Sequence, residues 1–535
     1  MWGGVSVPTS SPPCARVAPG SGRVGGSDSR VRGPDGIFDP VKLIRLDYLL
    51  HRWLGTFLGA LVFIWFASGI VLMYYPYPSI SESKEKSGLR SFEPDTTLIG
   101  FQRASVAAKQ ALRGSKAPHQ LVSGRLEQLG GRLVYQFQSE HGDGLVPAAL
   151  VDARSGMVLS PVSPSLAEAS ARRLVTGGAP VAEVELLQRA DHYMMDIAYA
   201  PQFPAWRVRF DDPERTAVYV NAMGGNAFGV VTRLTRFTTW TGPVPHWFYF
   251  IWLYDRPGLW SAAFVVAASL IVVLALTGIV WGFSHLLRRK TYRGISKWHH
   301  LSGIGFGFLV LTWTASGLYQ NFGAGSSPRE GQAARIRGGP TNWAAIRFSE
   351  REALERLRQT DSTRPAPLAV DLQQFNGQPG FEFHFPDGRS LWVDAGTGRP
   401  RGELAEPELR RAAELAAGSL GPPRDIERLS GYDEYYYARH GRERHLPAWR
   451  ISFPDPVGTR LYLDPVSGVP LAFVDGASKR ARWLRDGVHS FDLPGLNNRR
   501  PLWDLVILPL LIGGAVLSGT GVCLMLRRWS PRRRR

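Results

Sequence analysis

Residues 49–75 read LLHRWLGTFLGALVFIWFASGIVLMYY, an apolar run that carries a single arginine. Three further windows, at 260–283, 301–319 and 502–526, are similarly poor in charged residues. About 20 apolar residues in a helix span the roughly 30 Å hydrocarbon core of a bilayer. The four windows therefore predict a four-helix transmembrane bundle, with helices at 47–75, 260–283, 301–319 and 502–526.

The net charge of +18 is concentrated at the ends of these helices. Basic residues without any acidic residue occupy the loop at 284–300, and others precede the first helix and follow the fourth; they are Lys42, Arg45, Arg288, Arg289, Lys290, Arg293, Lys297, Arg527, Arg528 and the arginines of 532–535. Short basic segments mark the cytoplasmic side and contact anionic lipid. We therefore expect both termini in the cytoplasm, the segments 76–259 and 320–501 outside, and no nucleic-acid partner.

The termini, the cysteines and the absence of known cofactor motifs limit which cofactors the chain can be expected to bind. Residues 1–40 are rich in Gly, Pro, Ser and Arg and predict a disordered cytoplasmic tail, and 527–535 predict a basic one. The two cysteines, Cys14 and Cys523, lie in different environments and predict no disulfide framework. The sequence has no CxxCH motif for covalent haem, no Walker loop and no GxGxxG fingerprint on a strand–turn–helix unit, so we expect no bound ATP or NAD.

The sequence resembles itself at two close offsets. At an offset of 248, residues 50–55 (LHRWLG) correspond to 298–303 (WHHLSG), and Trp65 with Ala67-Ser68-Gly69 corresponds to Trp313 with Ala315-Ser316-Gly317. At an offset of 243, Pro204-Ala205-Trp206-Arg207 matches Pro447-Ala448-Trp449-Arg450, Trp240 matches Trp483, His246 matches His489, and Thr277-Gly278 matches Thr520-Gly521. These matches predict an internal tandem duplication, in which two helices per half are related by a pseudo-twofold axis along the membrane normal.

The two outer segments contain a smaller repeated unit. A helical stretch leads to strands and to a tight turn that begins with Asp or Asn and ends with Gly, at 151–156, 220–225, 393–398 and 463–468. Asp or Asn at the start of a turn and Gly near its end are typical of turn chemistry. Alternating strands such as 206–210 and 460–463 complete the prediction of small α+β domains outside the membrane.

These motifs resemble a known family. The Asp–Gly turn after a helix and a strand resembles the PepSY domain, and Leu-His or Trp-His at the start of an apolar helix resembles the PepSY-associated transmembrane family. Further motifs agree: 433–437 (DEYYY), 446–450 (LPAWR), and 482–484 (RWL) with 488–490 (VHS). The resemblance covers nearly everything after residue 40, and members differ in activity. One branch is similar to bacterial inner-membrane ferric-siderophore reductases, which hold two b-type haems between four helices.

The duplication divides the twelve histidines into those that have a histidine at the matching position of the other half and those that do not. His51 corresponds to His299, and His246 corresponds to His489; we expect most of the others, such as His285, to face solvent or to make local hydrogen bonds. Two opposed neutral imidazoles are what a six-coordinate b-type haem requires. Together with the resemblance, this predicts two haem b groups, an inner one on His51 and His299 and an outer one on His246 and His489.

Other interpretations remain open for these residues. A histidine at a helix start can be interfacial, and the nearby Gly55, Gly59, Gly303, Gly305 and Gly307 can serve close helix packing instead of making room for a flat macrocycle. The pair His246 and His489 can cap the interface between domain and membrane. His300, adjacent to His299, is a rival ligand in the second half.

Two functions are compatible with these residues. In the first, an oxidoreductase of the bacterial inner membrane takes electrons from a cytoplasmic donor or a membrane quinol and passes them to an acceptor in the periplasm. The resemblance implies that this acceptor is ferric iron or a ferric siderophore, in iron uptake. In the second, a membrane-anchored PepSY protein binds or restrains a protease or peptide outside the membrane, without redox activity.

Overall fold

The computed structural model of the chain describes residues 40–80, 84, 88–113, 120–141, 144–288, 292–323, 331–418, 420–439, 444–496 and 498–529. The predicted disordered tail at 1–40, apart from its last residue, and the end of the predicted basic tail at 530–535 lie outside these residues. The chain divides into two compact units, Met1–Leu46 and Asp47–Arg535, and the sites described below belong to the second.

Helices account for the membrane-spanning part and for the short connections around the sheets. They are α1 (Pro40–Tyr74), α2 (Gly100–Leu112), α3 (Pro164–Arg172), α4 (Arg233–Thr241), α5 (Pro243–Trp247), α6 (Ile251–Tyr254), α7 (Pro257–Leu287), α8 (Ile295–Gly323), α9 (Gln332–Arg337), α10 (Glu350–Thr360), α11 (Glu406–Ala417), α12 (Gly476–Ala481) and α13 (Leu502–Trp529). A π-helix at Arg482–His489 follows α12 directly, and short 3₁₀ helices lie at Thr176–Gly178, Ile197–Gln202 and Trp343–Ala345.

Within the described residues, four helices are long and apolar enough to cross a membrane: α1, α7, α8 and α13. This confirms the prediction of four transmembrane helices, and the chain is a membrane protein. The helices extend beyond some of the apolar windows; α7 ends at Leu287, for example. Backbone hydrogen bonding continues past the end of the apolar window because residues 284–287 contain no helix-breaking residue.

The four membrane helices pack around a shared apolar core. It includes Phe66 of α1, Ile271 of α7, Trp313 of α8 and Leu511 of α13. Gly514 of α13 makes room for the Phe66 ring, since a Cβ atom there would collide with it. Because lipid tails are as apolar as these side chains, close packing is what holds such helices together.

The strands lie outside the membrane helices. They are β1 (Leu121–Leu129), β2 (Arg132–His141), β3 (Gly144–Asp152), β4 (Val181–Leu187), β5 (Ala205–Phe210), β6 (Ala217–Asn221), β7 (Ala227–Val231), β8 (Ala369–Phe375), β9 (Gln378–His384), β10 (Ser390–Asp394), β11 (Pro400–Arg401), β12 (Asp425–Leu429), β13 (Ala448–Ser452), β14 (Arg460–Leu463) and β15 (Pro470–Val474).

A seven-stranded antiparallel sheet is built from both of the segments that lie between membrane helices. Its strand order is β11-β10-β9-β8-β1-β2-β3, and the two segments meet where β1 pairs with β8, with Arg125 opposite Asp371. Helices α2 and α10 cover one face of this sheet, and Phe101 and Leu354 are buried in the core between them. The segments therefore share one sheet and do not form two wholly separate domains.

Two four-stranded antiparallel sheets accompany it, with the orders β4-β5-β6-β7 and β12-β13-β14-β15. Trp206 lies in β5 and Trp449 in β13, so each occupies the second strand of its sheet. The four predicted Asp–Gly or Asn–Gly turns close hairpins or strand ends in the three sheets. In each, the first residue accepts backbone hydrogen bonds, as Asp464 does from Ser467 (2.7 Å), and the last is a glycine with positive φ, as at Gly468 (76°).

Candidate functional site

The four predicted histidines come together in two pairs. The ring centroids of His51 on α1 and His299 on α8 are 6.2 Å apart, and we call these residues the first pair. The centroids of His246 on α5 and His489, the last residue of the π-helix, are 6.4 Å apart, and these are the second pair. Two rings on opposite sides of one transition-metal ion have centroids about 6.2 Å apart, given bonds of about 2.0 Å and a ring nitrogen about 1.1 Å from its centroid. Both spacings leave room for one metal ion.

Hydrogen bonds fix the orientation of the first pair. The Nδ1 atom of His51 lies 3.1 Å from the carbonyl oxygen of Leu274, and Nδ1 of His299 lies 3.2 Å from that of Leu517. A carbonyl oxygen only accepts, so Nδ1 carries the proton in each ring and Nε2 keeps its lone pair. Ligating histidines typically donate their other N–H to a backbone carbonyl in this way.

The second pair is held in the same manner. Nδ1 of His489 lies 3.0 Å from the carbonyl oxygen of Trp313 and 3.1 Å from the hydroxyl of Ser316. Nδ1 of His246 lies 2.9 Å from the hydroxyl of Ser68, which itself donates to the Trp65 carbonyl. In all four histidines the lone pair is therefore on Nε2, the nitrogen that the Nδ1 hydrogen bonds leave free.

Burial keeps the second pair neutral. Burial and, to a smaller extent, the neighbouring His489 imidazole together lower the pKa of His246 to about 3. Burial also lowers the pKa of His489 below its ordinary value. Both rings are therefore neutral imidazoles at physiological pH, which is the form that binds a metal ion.

Each histidine packs against a glycine that follows a Ser or Thr on a neighbouring helix. The four dipeptides are Thr277-Gly278 at His51, Thr520-Gly521 at His299, Ser68-Gly69 at His246 and Ser316-Gly317 at His489. The hydroxyl lies within 3.5 Å of Nδ1 in every case. The glycine leaves space for the ring; a Cβ atom on Gly278 would lie 2.7 Å from Cε1 of His51. All four dipeptides belong to the repeated motifs of the sequence, but the repeat alone did not indicate that they contact the histidines.

A cavity of about 310 Å³ opens at the first pair, between the membrane helices. Gly55, Gly59, Gly303 and Gly307 line it, as the prediction of room for a macrocycle required, whereas Gly305 does not. The charged residues in the described lining are Arg52 of α1 and Arg528 of α13, and no acidic residue is among them. The cavity is therefore suited in charge to a ligand that carries negative groups.

His299, and not its rival His300, is the residue whose ring meets His51. The His300 ring packs 5.1 Å from that of Tyr292 and 6.4 Å from that of His285. His285 is buried and lies 4.3 Å from the Trp281 ring, so of the two expected alternatives it does not face solvent. It lies near the end of α7, where the helix continues past its apolar window and turns this ring into the bundle.

The second pair has different surroundings on its two sides. Beside His246 lie aromatic rings, with Trp65 at 6.4 Å between centroids. On the side of His489, Arg439 forms ion pairs with Asp486 (3.0 Å) and with the buried Asp492 (2.7 Å). The two sides therefore differ in charge although the two imidazoles are held alike.

In comparisons of the sequence with known proteins, no family model and no curated protein matches the chain.

Proposed function

We propose that this chain is a b-type haem protein that passes electrons across a membrane to an extracytoplasmic acceptor. The observation that carries the proposal is the geometry of the two histidine pairs. Both have the ring separation of a bis-imidazole metal site, and every Nδ1 is engaged in a hydrogen bond, which leaves Nε2 free to coordinate. An interfacial or capping histidine needs neither feature.

Haem fits these residues better than a bare metal ion does. Two imidazoles alone are few ligands for zinc, which takes four in structural sites and three from the protein in catalytic ones. Haem needs only two axial ligands, together with a slot between helices for its ring and partners for its two propionates. The glycine-lined cavity at the first pair supplies the slot, and Arg52 and Arg528 supply the positive charge. When bound, the haem iron supplies one-electron redox chemistry, and the chain's residues orient it and exclude water.

The two pairs lie at different depths of the membrane. His51 is on α1, and Ser68, which contacts His246 of the second pair, is 17 positions later on the same helix. At 1.5 Å per residue this is about 25 Å along the helix axis, close to the roughly 30 Å thickness of the hydrocarbon core. Two redox centres at this separation suit transfer from one face of the membrane to the other.

The orientation and origin of the chain form part of the proposal. The basic loop and termini support an orientation in a bacterial inner membrane that has the first pair near the cytoplasmic face and the sheets in the periplasm. The matching strand order of the two four-stranded sheets and the four like-held histidines support a tandem duplication and the resemblance to PepSY proteins. On this basis the donor is a cytoplasmic protein or a membrane quinol, and the acceptor is ferric iron or a ferric siderophore.

Haem quantitation and reduced-minus-oxidised spectra of protein purified from haem-sufficient cells test the proposal. We expect two equivalents of haem b per chain, both reducible by dithionite. His51→Ala or His299→Ala should remove one equivalent, and His246→Ala or His489→Ala the other. His300→Ala is the matched control, since it removes an adjacent imidazole that does not meet His51, and it should retain both.

A wild-type protein without haem would refute the proposal. The alternative of a membrane-anchored protein that binds an extracytoplasmic protease or peptide would then be the better account of the sheets. Loss of one haem in His300→Ala, with His299→Ala unaffected, would instead show that the ligand in the second half is misassigned.

A further inference from the structure

The seven-stranded sheet has a second face, opposite α2 and α10, that carries chemistry of its own. On β8 and β9, the residues Leu372 and Phe381 belong to the core beneath those helices. Successive side chains of a strand point to opposite faces. Asp371, Glu382 and His384 therefore share the other face; Asp371 pairs directly with Glu382 in the strand register, and His384 is two residues further along β9.

The three side chains converge and are largely withdrawn from solvent. Nε2 of His384 lies 2.7 Å from Oδ2 of Asp371, and Nδ1 of His384 lies 2.8 Å from the Ser390 hydroxyl. One donor atom from each of Asp371, Glu382 and His384 lies within 4.8 Å of the others. Glu382 is only 7 % exposed. Ligand atoms around one tetrahedral ion are about 3.4 Å apart, so the three donor atoms already lie near the separations that a single ion requires.

The nearby arginines are shared with carboxylates outside the cluster. Arg125 lies closer to Glu127 (Nε to Oε2, 3.2 Å) than to Asp371 (Nη1 to Oδ2, 3.7 Å). Arg401 pairs with Glu408 at 3.3 Å. The cluster is therefore a buried group of donors that a positive ion would stabilise.

The other hairpin of the same sheet provides an internal comparison. In β1 and β2 the register places Arg125 opposite Gln136, with Gln138 two residues further along β2. This hairpin thus has no acidic or imidazole donor at the three positions where β8 and β9 have Asp, Glu and His. The donor set is a property of one hairpin and does not follow from how the sheet is built.

We propose that Asp371, Glu382 and His384 bind a divalent first-row transition-metal ion of the Zn²⁺ or Fe²⁺ kind. Two carboxylates and one imidazole suit such ions, and three protein ligands leave a position for water or for an external ligand. Ser390 holds the His384 ring by its Nδ1 atom, so that Nε2 is the ligand, as an outer-shell partner does in a metal site. This site does not depend on haem binding, because it has no residue in common with the two histidine pairs.

Zinc binding by the full-length protein in detergent tests it, with Zn²⁺ alone as the probe. Equilibrium dialysis followed by metal quantitation should show one equivalent that Glu382→Gln and Asp371→Asn each lose, with affinity at least about 100-fold weaker. The matched control is His445→Gln. His445 also lies beside a carboxylate, Asp464 at 3.2 Å, but is half exposed and is not part of the three-donor cluster. It should bind zinc as the wild type does.

Each outcome decides the proposal. The two variants are nearly isosteric with the wild type and retain both histidine pairs. Any zinc bound by those pairs is therefore the same in all three proteins and does not affect the difference between them, whatever the haem content. Equal zinc binding by the wild type, Glu382→Gln and Asp371→Asn would overturn the proposed metal site. The cluster would then be a network of ion pairs without a bound metal. If one variant fails to fold, as judged by circular dichroism, the other carries the test. A wild type that retains no zinc also overturns it.

Discussion

Gly278→Ala is the sharpest test of how the bundle holds its first histidine pair. A Cβ atom at this position would lie 2.7 Å from Cε1 and 3.0 Å from Nδ1 of His51. Carbon atoms in contact are about 3.5–4.0 Å apart, so the ring must move by about 1 Å. A shift of that size breaks the hydrogen bond of 3.1 Å from Nδ1 to Leu274, since geometry beyond about 3.5 Å no longer counts as a bond.

Gly278→Ala is expected to weaken haem binding through His51 without weakening helix α7. Removing an outer-shell partner of a metal ligand costs about 10–100-fold in affinity, which is about 1.4–2.7 kcal/mol. Alanine is a better helix former than glycine by about 1 kcal/mol, so α7 itself is not weakened. Haem titration of the haem-depleted protein should therefore show one weakened site, while the second pair is unaffected.

Gly69→Ala is the matched control at the second pair. Its Cβ atom would lie 3.8 Å from Cε1 of His246 and 3.5 Å from Leu511, which is ordinary contact. We expect this variant to bind both haems as the wild type does. Unchanged haem affinity in Gly278→Ala, or an equal loss in Gly69→Ala, would show that the glycines serve helix packing alone and have no part in seating the histidines.

Three further predictions concern charge and orientation. Arg52→Gln or Arg528→Gln should lower the reduction potential of the first haem by on the order of tens of millivolts, because the loss of a cation favours the ferric form. Redox titration measures this shift. Arg189→Gln is the control and should have no effect, because Arg189 belongs to a surface ion pair with Asp255. Glu350 is buried against the Tyr135 hydroxyl, and burial raises the pKa of its carboxyl above the ordinary value. Its contribution to stability is therefore full below the unfolded pKa of about 4.3 and is lost as the pH rises through the folded pKa. Thermal melts should show Glu350→Gln gaining on the wild type as the pH rises above that unfolded value, and a constant difference would contradict this. A reporter that is active only in the cytoplasm should be inactive when fused after Gly380 of β9, and activity there would overturn the proposed topology.

The elements that could be predicted from the sequence are those that local patterns encode. The membrane helices followed from apolar windows, and the partnership of His51 with His299 followed from matching positions in the two halves. The pairing of β1 with β8 did not, because Arg125 and Asp371 are far apart in sequence and strand partners at such separation leave no local signal. The support of each histidine by a Ser-Gly or Thr-Gly dipeptide was missed for a similar reason. Its residues stand in the sequence as repeats, but the contact exists only between helices.

The two halves differ most where they leave the membrane, and this difference bears on what the protein meets outside. The four histidines of the two pairs are held alike: each contacts a hydroxyl group and packs against a glycine. By contrast, β8 and β9 carry Asp371, Glu382 and His384 where β1 and β2 carry arginine and glutamine. Beyond the second pair, charged groups face His489 and aromatic rings face His246. A bundle that passes electrons needs two equivalent pairs of ligands, whereas recognition of a single acceptor or metal ion needs one site. If the chain has the function proposed above, the asymmetry assigns recognition to the sheets of the second half and electron transfer to the histidine pairs.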